Sequence, residues 1–234
     1  MPYTKSISRN EFDLSIDSRL KQSKCISKEG ISVDIRQAVY HAAIFHGCAA
    51  LEEYLKNIFE NWVYQLKHNN KTLKEVPTQL RSMLLVRKQH NAFSSYLFNS
   101  DESKIIGFIS EDKTLLDGYS ENTSASSFLN NANLIADRKY PSHKNLKSLF
   151  NRFGMPSIFH RIEIKGRKDY KLLLQSFLDV RTEIAHNHPP TALTNCDIKK
   201  HLTNLKDLVN QLDRIAYSQT LRISGSDCWS TPSS

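Results

Sequence analysis

One stretch, from about Val33 to Leu66, constrains the fold more than any other. It holds no proline and a single glycine, Gly47. Ile44, Cys48, Leu51, Leu55, Ile58 and Trp62 recur at steps of four and three, the a/d seam of a helix packed nearly antiparallel in a bundle. A second stripe, Phe45, Ala49, Glu52, Phe59 and Val63, runs beside it, with Lys56 interrupting. Glu52 is thereby set among apolar neighbours, whereas Glu53 falls on the polar side.

Other helices gather round this one. Ser8 and Glu11 have the spacing of a capping box, after which Phe12, Ile16 and Leu20 share a face. Pro77 suits the first turn of a helix through Leu80 and Leu84 that extends towards Phe98. "NLKSLFNRFGM" reads as a short helix ended by Gly154, with Leu146, Leu149, Phe150 and Phe153 inward. In "DYKLLLQSFLDVRTEIAHN" one seam is Leu173, Phe177, Val180 and Ile184, and a parallel stripe is Leu174, Leu178, Arg181 and Ala185. Arg181 therefore sits on an apolar shoulder, as Glu52 does. Pro189 biases His188 out of the helical region, so this helix should stop at about Asn187. A last helix opens at Thr194 or Asn195, with Thr194 and Asp197 as caps and a seam of Ile198, Leu202, Leu205, Val209, Leu212 and Ala216.

Between these elements the signals weaken. "SKIIGFIS" is short, apolar and ambiguous. Gly118 to Asn133 is rich in Ser and Asn with no sustained period, which gives a surface loop inside an irregular insertion over 118–145. "RISGSDCWSTPSS" reads as a frayed tail. The expectation is an all-α chain, a single helical domain over 1–221 with a flexible tail at 222–234. Only seven glycines and seven prolines occur, which argues against a many-turned β-sandwich or a doubly wound sheet.

Several function classes are disfavoured. No run approaches the ~18 apolar residues of a membrane span, and "MPYTKSISRNEF" lacks a signal-peptide core, so the chain is expected to stay in the cytoplasm, with no membrane partner. Cys25, Cys48, Cys196 and Cys228 lack zinc or disulfide spacing. No carboxylate cluster, Walker-type loop or dinucleotide glycine pattern occurs, and no metal or cofactor is called for. His41 and His46 are five apart, the wrong step for a shared metal ion on a helix.

The formal net charge is +8, and its distribution says more than its size. Ala136 to Lys171 holds ten basic residues, Lys144, Lys147 and Arg152 among them, against three acidic ones, so seven of the eight excess charges lie there. A polyanion is one reading of this concentration; a solvated face is the other.

"RTEIAHNHPP" follows the apolar face of the penultimate helix. Residues five apart on a regular helix differ by ~140° in direction and ~7.5 Å in height, so Arg181 and His186 diverge unless the last turn unwinds or a second copy supplies another pair. Histidine moves protons near neutral pH, and the arginine fork fits phosphate oxygens. Together they suit phosphodiester cleavage by the substrate's own 2′-hydroxyl. The plainer alternative has Arg181 paired with Glu52 or Asp179 and His186 capping a helix end.

"RTEIAH" after an apolar helix, with a turn and a final helix beyond it, resembles the hallmark Arg-x4-6-His motif of the all-α HEPN superfamily. "AAIFHGCAALEEYLKNIFENW" is similar to the long early helix of the RiboL-PSP and MAE-type branch, and "NLKSLFNRFGM" to the segment before its motif helix. The resemblance covers roughly Ile31 to Ile215 in pieces. It implies a metal-independent endoribonuclease acting on RNA, usually a homodimer with two motifs facing across the interface, and commonly part of toxin–antitoxin or phage-defence systems with a cognate antitoxin or defence partner. Residue by residue, Arg181 and His186 match the motif pair, and Glu52 matches the acidic position that often accompanies it. Thr182, Asn187, His188, Lys144, Lys147 and Arg152 are then the expected substrate contacts. Many members carry Asn, Asp or His directly after the motif arginine; here Thr182 either supplies that polar group or activity is impaired. The alternative is a non-catalytic HEPN-type module that binds nucleic acid or a partner.

Overall fold

Ser32 opens the long helix: its hydroxyl accepts the Ile35 amide, and Asp34 lies in the first turn. The computed structural model describes residues 2–28, 30–99, 102–111, 117–129, 140–186 and 192–232. Among them nine helices occur and no strand: α1 Ile7–Ile26, α2 Val33–His68, α3 Thr78–Asn99, α4 Glu102–Glu111, the single turn α5 Ala125–Phe128, α6 His143–Arg152, α7 Ile158–Gly166, α8 Tyr170–His186 and α9 Asn195–Ile223. The chain is all-α, as its periodicity requires.

α2 and α9 form the axis of the bundle. All six residues of the α2 seam are buried, and so are all six of the α9 seam. Thr194 and Asp197 make the capping box that starts α9. α1 packs on both helices through Phe12 and Ile16. α6 closes one side, its Phe150 meeting Phe59 edge-on at 5.0 Å, while Phe153 stacks on Phe59 at 4.1 Å and lies 5.5 Å from Trp62. Gly154 ends that run at φ +76°, where a side chain would be strained. Among the described residues no helix is long and apolar enough to cross a membrane, and all four cysteines are free thiols.

Four sequence expectations are corrected, and one ambiguous run is resolved. The α1 cap is Ser6, whose hydroxyl accepts the Arg9 amide, and Ser8 is buried inside the first turn. "SKIIGFIS" lies within α4, packed against α3. The described part of the 118–145 insertion is not a surface loop throughout. Thr72 and Ser124 form an antiparallel bridge, the Ala125 amide donates to the Lys71 carbonyl at 2.8 Å, and Ala125, Phe128 and Leu129 enter the core. Residues 130–139 lie outside the described residues.

The expected flexible tail is also pinned. Cys228 is 1% exposed, the Trp229 indole donates to the Thr4 carbonyl at 3.1 Å, the Ile7 amide donates to the Ser230 carbonyl at 3.0 Å, and Lys71 pairs with Asp227 at 2.9 Å. Its polar composition hid two anchors, Cys228 and Trp229, that only distant segments cover. Finally, the inward face of α8 is rotated from its expected seam. Tyr170, Leu174, Phe177 and Leu178 are buried, while Leu173, Val180 and Ile184 are half-buried. The stripe that carries Arg181 therefore turns towards the bundle.

Candidate functional site

The site begins with the glycine of α2. A Cβ at Gly47 would lie 2.8 Å from Leu202 Cδ2 and 3.3 Å from Phe177 Cζ, so its absence lets α8 and α9 settle on α2 at this level. One turn beyond Phe177 on α8 is Arg181. Its guanidinium lies over the Phe45 ring at 5.4 Å, a cation–π contact that fixes the plane of the group. Its Nε is buried and has no hydrogen-bond partner.

Cys48 and Glu52 share this face of α2, one turn apart. The Cys48 thiol donates to Glu52 Oε1 at 3.6 Å, and its pKa is pushed up to about 12, first by burial and then by the Glu52 charge, with Arg181 opposing. The thiol is thus held protonated between an acid and a cation. Among the described residues no ion pair within 4.0 Å joins Arg181 to Glu52. Asp179, the other expected partner, instead accepts from Gln175 at 2.7 Å.

α8 stays helical through His186, and the imidazole is exposed at its last position. The unwinding that would turn His186 back towards Arg181 does not occur before that residue, so the two side chains of one chain diverge by the ~140° of a regular helix. Arg181, Phe45, Cys48 and Glu52 are gathered; His186 is set apart. Thr182 is exposed, and its hydroxyl donates to the Leu178 carbonyl of its own helix at 2.8 Å. Asn187 and His188 lie outside the described residues.

The basic segment is divided among three helices. Lys144 and Lys147 are exposed on α6, and Arg152 is half-buried at its end. His143, whose ring lies 4.4 Å from Phe159, has its charged form disfavoured by burial and then by Lys171 and Lys147. Lys147 of α6 and Lys171 of α8 thus lie near one imidazole, with Glu163 of α7 opposing them. Lys171 is ten residues before Arg181, ~15 Å along the α8 axis.

The apolar stripes of α2 contain Phe45 and Cys48 but do not identify them as neighbours of Arg181. The signal was present in Phe45, Cys48 and Glu52 sharing one face of α2; which helix opposed that face was not. Among the described residues no three His, Cys, Asp or Glu side chains converge as a metal-holding group.

Comparison with known proteins extends this picture. No curated protein and no solved structure matches the chain. The sequence profile of one family, RiboL-PSP-HEPN, matches residues 13–218, from within α1 to the last two turns of α9. The match spans every element that builds the Arg181 site, and the family is one of nuclease-like or nucleic-acid-related modules. An all-α bundle with a long early helix and an Arg-x4-His run closing its penultimate helix thus has its place: the chain belongs to the RiboL-PSP-HEPN family of the HEPN superfamily.

Proposed function

We propose that this chain is a metal-independent endoribonuclease acting as a homodimer, a toxin or phage-defence effector of the cytoplasm. It cuts RNA by attack of the 2′-hydroxyl on the adjacent phosphorus, leaving 2′,3′-cyclic phosphate and 5′-hydroxyl ends. The observation that carries this reading is the state of Arg181. The cation rests on Phe45 beside the Cys48–Glu52 pair, with no carboxylate in ion-pair contact among the described residues, so its charge is available to phosphate oxygens.

Each residue then has a role. Arg181 binds the phosphate and stabilises the charge that builds on its oxygens in the transition state. His186 takes the 2′-hydroxyl proton, and an imidazole returns a proton to the departing 5′-oxygen. Glu52 keeps the surroundings of Arg181 anionic without neutralising it, through Cys48. Because Arg181 and His186 of one chain diverge, the reacting pair is completed across a two-fold interface, with the partner's His186 beside Arg181.

A second reading, a non-catalytic nucleic-acid or partner-binding module, is favoured by Thr182, whose hydroxyl is donated to its own helix. One assay separates the two. The purified protein should cut single-stranded RNA in excess EDTA and leave cyclic phosphate ends, and Arg181→Ala and His186→Ala should each abolish cutting. Full cleavage by either variant, or loss of all cleavage by the wild type in EDTA, sinks the nuclease reading. RNA binding without cleavage selects the second.

A further inference from the structure

α7 and α9 pack against each other well away from Arg181, and the first residues of the chain close the groove between them. The resulting cleft, about 520 Å³, is of the size that small ligands occupy. Its walls carry Tyr3, Lys165, Asn210, Arg214 and Tyr217, and none of its lining residues is acidic.

The cleft is rigid where it matters. The Arg214 guanidinium lies over the Tyr3 ring at 4.5 Å, and its Nε donates to Asn210 Oδ1 at 3.1 Å. Tyr3 is anchored in turn by its hydroxyl, which donates to Asp213 at 2.6 Å. Its ring meets Tyr217 edge-on at 5.4 Å, and Tyr217 donates to the Pro2 carbonyl at 2.7 Å. Arg214 and Lys165 are both exposed, and among the described residues neither has a carboxylate within 4.0 Å. Asp213, next to Arg214 in sequence, is fully buried and engaged with Tyr3, Ser6 and Tyr54.

A second pair of cations continues the line. Arg161 precedes Lys165 by one turn of α7, and Arg222 follows Arg214 by about two turns of α9. α7 and α9 pack along this line, and Arg161's charged form is disfavoured by burial and then by Arg222, so the two cations are within electrostatic reach of each other. The strip extends ~12 Å along α9. Like charges gathered beside an aromatic pair cost energy in the free protein, and a flexible polyanion relieves that cost.

From this placement we infer that the α7–α9 groove binds single-stranded RNA, with phosphates of one strand on Lys165/Arg214 and on Arg161/Arg222 and a base against the exposed face of the Arg214–Tyr3 stack. The groove is remote from the Arg181 site. α8 and α9 are antiparallel, with Tyr170 beside Asp207 and Gln211 and Phe177 beside His201, so Arg214 lies ~25 Å along the axis from the level of Arg181. It is a holding site several nucleotides from the candidate cleavage centre.

The inference does not need that centre to be active, and the test keeps the two apart. The probe is a fluorescein-labelled 2′-O-methyl oligouridine dodecamer, whose blocked 2′-oxygen cannot attack phosphorus. Binding to the full chain is followed by anisotropy from 50 to 300 mM salt. Lys165→Glu, which leaves the Arg214–Tyr3 stack untouched, should weaken binding at least tenfold. Lys165→Ala/Arg214→Ala should do the same and reduce the log–log salt slope by ~1.4, two contacts at ~0.7 each for a single strand. In an Arg181→Ala/His186→Ala background, which removes the phosphate contact of the candidate cleavage centre, Lys165→Glu should still weaken binding at least tenfold. The groove is overturned as the RNA site by any of four results: wild type fails to bind the probe, Lys165→Glu binds within twofold of wild type, Lys24→Glu on α1 weakens binding as much as Lys165→Glu, or uridine monophosphate competes as well as the unlabelled dodecamer. The last two would mark a net-charge effect and a free-nucleotide pocket.

Discussion

Asp213 is the only acidic residue among those described that is fully excluded from solvent, and removing it should reveal what holds the first turn of the chain. Its carboxylate accepts from the Ser6 hydroxyl at 2.5 Å, the Tyr3 hydroxyl at 2.6 Å, the Ser6 amide at 3.2 Å and, more weakly, the Tyr54 hydroxyl at 3.4 Å. In Asp213→Ala, the half-exposed Tyr3 can turn to water. The Ser6 amide and hydroxyl cannot, and each buried unsatisfied donor costs ~1–3 kcal/mol. With Tyr54 also deprived, the expected loss is about 3–5 kcal/mol, a large share of the ~5–15 kcal/mol that holds a domain folded. Guanidinium chloride unfolding should show it as a lower midpoint at unchanged slope.

The pH dependence sharpens the test. Burial raises the pKa of Asp213 above the ordinary carboxylate value, and hydrogen bonds from Ser6 and Tyr3 and the charge of Arg9 only partly offset this. A raised folded-state pKa means that the folded protein binds the proton more tightly than the unfolded chain. The stabilisation is fully present below the unfolded value of ~3.9 and is lost as pH rises through the folded value. Asp213→Asn lacks this titration, so wild type should lose stability relative to it as pH rises from about 4. An Asp213→Ala cost below 1 kcal/mol, or a wild-type-minus-Asn difference flat with pH, would refute the reasoning.

Three further outcomes are expected. Gly47→Ala should destabilise by up to about 2 kcal/mol, because overpacking against Leu202 and Phe177 costs ~1–3 kcal/mol and better helix propensity returns ~1 kcal/mol; thermal melts and the RNA-cleavage rate should fall together as α8 shifts from α2. Phe45→Ala should change stability by less than about 1 kcal/mol, since Phe45 is 36% exposed, yet lower cleavage at least tenfold by freeing the Arg181 guanidinium; a normal rate would separate that contact from function. If the site is shared between two copies, mixing Arg181→Ala and His186→Ala proteins should restore cleavage to a fraction of wild type through mixed dimers, whereas a site within one chain gives none.

The long elements were legible because their pattern repeats. The seams of α2 and α9 each recur over several turns, and every position in them is buried. α7 went unread and α4 stayed ambiguous because their nine and ten residues lack the full i, i+3, i+4, i+7 set, Leu146, Leu149, Phe150 and Phe153, that makes the equally short α6 legible. Ser8 has the capping-box spacing, yet Ser6 is the cap because Asp213 and the Arg9 amide hold it there. The same limit applies at the site. Arg181 on an apolar shoulder was readable from α8 alone, and Glu52 from α2 alone. That Phe45 carries the guanidinium depends on how one helix lies on the other, which is a tertiary fact. The α7–α9 groove draws Tyr3, Lys165 and Arg214 from three distant parts of the chain, and no local pattern links them.

The packing of the last described residues on the first has a topological consequence. With Ser230 bonded to Ile7 and Trp229 to Thr4, residues 2 and 232 are near enough in space for a short linker to join them. The chain then approximates a closed ring that can be opened elsewhere. Gly30, where an added Cβ would meet nothing within 4 Å, offers a place for the cut between α1 and α2. In such a permutant α1 would become the last helix, and the order of α2 to α9 around Arg181 would be unchanged.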